Sequence, residues 1–93
     1  MKDLPNLNSI LDGSFTELEE EDSKVMMALA IGLVNALLED SSEEAIDNVL
    51  KFSLQLPGEF SIMLVKDMQQ NSIDVEGSSA WGEWVREFAY LLV

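Results

Sequence analysis

The chain has 93 residues, of which 18 are acidic and five basic, giving a net charge of −13, and it has no histidine and no cysteine. That excludes disulfides, thiol nucleophiles, zinc–thiolate sites, histidine bases and imidazole metal ligands. With 47% apolar residues the composition is that of a folded chain, and the length fits one domain: a single acidic helical domain over residues 1–93, with 1–22 as short helix and acidic lead-in and 23–93 as helical core.

Period-two alternation is absent, so an all-α fold is expected. A short helix is predicted from Pro5 to Asp12, with Leu4, Leu7 and Leu11 on one face and Gly13 as its stop. It is too short to stand alone and must dock on the rest. Residues 14–22 form an acidic segment. Thr16 and Glu19 have the spacing of a capping box, and the segment reads equally as a turn of helix or a loop, anchored by Phe15 and Leu18.

The first main helix is predicted over Ser23–Glu39, capped by Asp22 or Ser23. Val25, Met26, Met27, Leu29, Ile31, Leu33, Val34, Leu37 and Leu38 make it apolar almost all round, which predicts a central position. Ala28, Gly32 and Ala36 form a smooth stripe where another helix can come close. The apolar run from Val25 to Leu38 falls short of the ~20 residues of a membrane span, and no secretory leader is evident. The expected setting is cytoplasmic, with no membrane partner.

A second helix is predicted from Glu43 to Gln55, with Ser41 and Glu44 at capping-box spacing. Ala45, Ile46, Val49, Leu50, Phe52 and Leu56 share its apolar face, and Asp47 and Lys51 form an (i, i+4) pair on the other. The third opens at Pro57 and runs to Gln70, with Phe60, Leu64, Val65 and Met68 as its stripe. The fourth is predicted over Ser79–Leu92, with Trp81, Trp84, Val85, Phe88, Leu91 and Leu92 on one arc and Tyr90 on the polar side. Short connections imply a small bundle of four main helices in two antiparallel helical hairpins, plus the short N-terminal helix.

No catalytic constellation is visible, and the chain is expected not to be an enzyme. The five glycines are isolated, no Walker A motif occurs, and no Ser-x-x-Lys pair offers a serine nucleophile its base. No cofactor is implied. Glu39, Asp40, Glu43 and Glu44 cluster at one helix junction, but they lack EF-hand spacing and its glycine and read as helix caps and solvated ends rather than a metal site. Trp81 and Trp84 read as core before interface, and the five methionines as core filling before an adaptable groove.

The residues left for binding are acidic. Glu17, Glu19, Glu20, Glu21 and Asp22 form one dense run, and Glu39, Asp40, Glu43 and Glu44 a second. Tyr90 adds an exposed aromatic. Such charge repels nucleic acid and anionic lipid and suits a protein partner with a basic surface. An exposed face on the first main helix would add a second copy of the chain as a candidate partner. A different reading is a small acidic inhibitor that mimics DNA and occupies a nucleic-acid-binding enzyme. Mimicry calls for charge spread along a continuous strip. Residues 1–47 instead hold 12 acids and two bases, and residues 48–93 hold six and three, which favours local docking.

Leu56-Pro57-Gly58-Glu59-Phe60, followed by Val65-Lys66-Asp67-Met68 and then by Ala80-Trp81 and Trp84, resembles the C-terminal helical region of MoxR-like AAA-type ATPases, including bacteriophage members. In that family a Leu-Pro-x-Glu-Phe turn opens a helix carrying a late aspartate, and a later helix bears an aromatic residue and a tryptophan three positions on. The acidic entry and Ala/Leu-rich helix over Glu21–Leu38 are similar too. The resemblance covers about residues 21–92 and implies a helical accessory domain of an oligomeric, protein-remodelling ATPase. It carries over no ATP-binding residue, because no Walker A, Walker B or arginine-finger segment can be assigned.

Overall fold

A computed structural model describes residues 7–14, 23–40 and 42–91. Its elements are α1 (Leu7–Asp12), α2 (Ser23–Glu39), α3 (Glu43–Ser53), α4 (Gly58–Gln70) and α5 (Trp81–Phe88), with a final 3-10 turn over Ala89–Leu91. The fold is the expected small all-α bundle with its short N-terminal helix, and α2 has the predicted bounds. The run Glu17–Asp22 and the cap residues Thr16 and Ser41 lie outside the described residues.

Helix ends follow local chemistry. Gly13, at φ +83°, stops α1 as predicted. The Ser14 N–H bonds back to the Ser9 carbonyl at 2.9 Å and the Gly13 N–H to that of Ile10 at 3.2 Å, a Schellman closure. At the start of α3 it is Ser42 that caps, its hydroxyl accepting the Ala45 N–H at 3.2 Å. Helix α4 ends in a second Schellman closure, with Ile73 N–H on Met68 O at 3.0 Å and Ser72 N–H on Gln69 O at 3.1 Å. Ser72 takes the left-handed position there, at φ 64°, where glycine is the usual occupant.

The core joins all five helices. The predicted face is buried throughout: Ala45, Ile46, Val49, Leu50 and Phe52 on α3, which ends at Ser53, two residues earlier than predicted, and Leu56 in the turn that follows. On α4, Leu64, Val65 and Met68 are buried but Phe60 is only half-buried. Ser61 lies fully inside instead, because its hydroxyl accepts the Trp84 indole N–H at 2.8 Å. The tightest backbone packing joins elements distant in sequence, α1 on α3 and α2 on α4. Trp84 stacks on Trp81, with ring centroids 5.2 Å apart and planes at 12°, and tilts against Phe88 at 5.5 Å. Trp84 and Phe88 are core and Trp81 is half-buried, so the tryptophan pair packs inward, chiefly through Trp84.

Helix α2 is not wrapped on all sides. Met26, Leu29, Ala30, Leu33, Val34 and Leu37 face the core, whereas Met27, Ile31 and Leu38 are 47%, 54% and 53% exposed. The expectation of a fully central helix is corrected here: a bundle this small supplies too few neighbours to cover a 17-residue apolar helix. At Gly32, in the small-residue stripe, a Cβ would stand 3.0 Å from Leu7 Cδ1, so the partner that comes close is α1.

Candidate functional site

The two polar regions of interest are the α2–α3 junction and the clamp around Asp47. At the junction, Glu39 closes α2 and Asp40 follows it, while Glu43 and Glu44 occupy the first turn of α3. All four are exposed. Among the described residues none of them meets a cation. Their electrostatics differ. Glu43 and Glu44 complement the positive end of the α3 dipole. Glu39 sits at the negative end of α2, where a carboxylate is unfavourable, so a capping role does not account for it.

Beside the junction lies a shallow cleft walled by Leu38, Ile46, Ile73 and Asp74, with Ser72 on its rim. Ile46 and Ile73 are almost wholly buried, so Leu38 is the apolar surface that solvent meets. A second hollow, on the α1 side, is lined by Asp12, Asp40, Ser42 and Glu44. The Ser14 hydroxyl and N–H, donating to Asp12 Oδ1 at 2.5 and 2.9 Å, hold the Asp12 carboxyl below its ordinary range. Among the described residues no group of three or more acids is arranged to hold a metal ion. No helix there is long and apolar enough to cross a membrane.

Asp47 was legible only as half of an exposed ion pair, and that pair exists, with Lys51 Nζ at 3.0 Å from Oδ2. Its other oxygen does more. Oδ1 accepts the Ser78 hydroxyl at 2.7 Å, the Ser79 hydroxyl at 2.7 Å and the Ala80 N–H at 3.1 Å. Helix α5 has no cap from its own N-cap residue, Ala80. Asp47 supplies that cap from α3, across more than 30 residues of sequence, and places its charge at the positive end of α5. The helix therefore starts at Trp81, two residues later than predicted, because Ser78 and Ser79 turn their hydroxyls to Asp47. Burial alone raises the Asp47 carboxyl, but the bonds from Ser78, Ser79 and Lys51, with the Lys51 charge, outweigh it and hold the group at about 2. The clamp bears on stability, since the groups it joins all belong to the fold itself: α3 and the start of α5.

Tyr90 stands 72% exposed on the 3-10 turn, as its place on the polar side predicts, next to the half-exposed Leu91. Leu91 in turn leans on Gly58, where a Cβ would lie 2.5 Å from Leu91 Cδ1. Tyr90 and the junction belong to different elements. Comparison with protein-family models, with curated proteins and with solved structures yields no match for this chain. Function must therefore be argued from the site itself.

Proposed function

We propose that the chain is a non-catalytic interaction domain that docks a protein partner with a basic surface, and that it serves as the helical accessory domain of an AAA-type ATPase. The observation that carries the docking reading is the α2–α3 junction. Four carboxylates project into solvent there without a cation among the described residues, and one of them, Glu39, opposes the dipole of its own helix. A charge kept against a local stability cost of ~0.3–1 kcal/mol fits a surface used for recognition. Exposed Tyr90 offers a separate aromatic contact. The ATPase assignment rests on the sequence resemblance over residues 21–92.

The test immobilises the protein beside a variant carrying Glu39→Gln, Asp40→Asn, Glu43→Gln and Glu44→Gln. Proteins retained from a lysate at low and high salt are then identified. Docking through the junction predicts retention of basic proteins by the parent chain, loss at high salt and loss in the variant. Equal retention by both chains at both salt levels refutes it. Displacement of the retained proteins by duplex DNA shifts the reading to DNA mimicry. An AAA-type motor among the retained proteins, or encoded in the same reading frame, supports the accessory-domain assignment.

A further inference from the structure

The exposed side of α2 has an order that neither the core nor the clamp uses. At 100° per residue, Met27, Leu38 and Ile31 fall within an arc of about 40°, directly opposite Leu29 and Leu33. Roughly half of each of the three side chains is in solvent. They run along some three turns of helix, about 16 Å. The three lie four and seven positions apart, with exposed Asn35 between Ile31 and Leu38, and form an apolar surface, or ridge, against which a helix can pack.

The charge around the ridge is one-sided. Glu39 and Asp40 follow Leu38 in the chain, and Asp74 lies across the cleft that Leu38 walls. Lys24 lies at the opposite end of the same helix. The C-terminal end of the ridge is therefore negative, on a chain of net charge −13. Such a field repels a second copy of the chain and attracts a cationic segment.

We propose that the ridge Met27–Ile31–Leu38 receives a basic amphipathic helix of a protein partner, whose apolar side chains pack on these three residues and whose lysines or arginines lie over Glu39, Asp40 and Asp74. The mode is helix-on-helix packing with a charged latch at one end. Three half-exposed side chains make a small contact, of the size found in transient complexes, and the charged latch makes binding salt-sensitive. The inference rests on the proposed acidic docking function and adds to it an apolar surface and the partner's secondary structure.

The probe is a synthetic helical peptide with leucines on one face and lysines concentrated at one end. A scrambled peptide of identical composition, without the apolar face, is the control. Isotope-labelled protein is titrated with each and amide shifts are mapped. The amphipathic peptide is expected to bind at least about tenfold more tightly than the scrambled one. The largest shifts are expected at Met27, Ile31, Leu38, Glu39 and Asp40. Ile31→Gln combined with Leu38→Gln should abolish that advantage without lowering the melting temperature. Equal binding of the two peptides, or shifts centred on another face, overturns the inference. If Glu39→Gln with Asp40→Asn weakens both peptides while the ridge variant weakens neither, acidic docking stands and the ridge proposal fails. If neither variant matters, both fail. If another part of this chain covers the ridge, Ile31→Gln lowers the melting temperature by several degrees, and if a second copy covers it, sedimentation shows a dimer that Ile31→Gln dissolves. Either result overturns the proposal.

Discussion

Asp47 is the residue through which a single oxygen joins α3 to the start of α5, and its removal has a calculable consequence. Asp47→Asn keeps the shape and one acceptor oxygen but removes the charge. A carboxyl held at about 2 rather than its ordinary 3.8 corresponds to roughly 2.5 kcal/mol before screening. Water reaches part of the group, whose side chain is 19% exposed, so the loss expected at neutral pH is about 1 kcal/mol, or roughly 4–8 °C in melting temperature. Because folding lowers this pKa, the contribution is complete above about pH 4 and disappears as the pH falls toward about 2. The assay is urea unfolding of parent and variant between neutral and strongly acidic pH, followed by far-ultraviolet circular dichroism. The stability difference between the two chains is the quantity that counts, since the other carboxylates titrate alike in both. Near-ultraviolet dichroism reports whether the stacked Trp81–Trp84 pair on α5 loosens first. The reasoning fails if the two chains are equally stable at neutral pH. It fails equally if their difference stays constant down to pH 2.

Two further substitutions probe the fold. Ser61→Ala leaves the buried Trp84 indole N–H without its acceptor, and chemical denaturation should show a loss of about 1–3 kcal/mol. Trp84→Phe introduced on that background should recover part of the loss. Ser72→Gly relieves a non-glycine residue held at φ 64° and should raise stability by about 0.5–1 kcal/mol, read as a higher melting temperature. A lower one would show that the serine side chain contributes a contact beyond the turn. At the junction, Glu39→Gln should stabilise the isolated domain by ~0.3–1 kcal/mol while weakening capture of a basic partner. Opposite signs for stability and binding are what a functional carboxylate at a helix C-terminus requires.

Local interactions along the chain were legible in the sequence, because each is settled within a few residues. The apolar face of α3 follows from 3.6-residue periodicity, and its five predicted residues within the helix are all buried. The bounds of α2 follow from an apolar run ending in Glu39, and the end of α1 from a glycine that alone takes φ +83° without strain. The exposure of Tyr90 follows from its place opposite the tryptophan arc. The acidic junction was visible as composition, although the unfavourable position of Glu39 on its helix required a helix end fixed in space.

Tertiary structure decided whatever depends on which helices meet. Ser61 is no part of the predicted stripe of its helix, and it is buried with Trp84 bringing a donor to it from 23 residues away. Asp47 looked like a surface ion pair, and caps α5 because α3 and α5 pack together. Periodicity marked α2 as apolar on every side but not which side stays open. That choice depends on α4, α1 and α3 packing on one half of its circumference, with no further helix among the described residues to fill the other. Sequence by itself determined the helices and the excess of negative charge, since both arise from local steric and electrostatic preferences. Packing determined that a bare apolar ridge ends beside that charge, because burial is a property of pairs of elements and cannot be assigned to one alone.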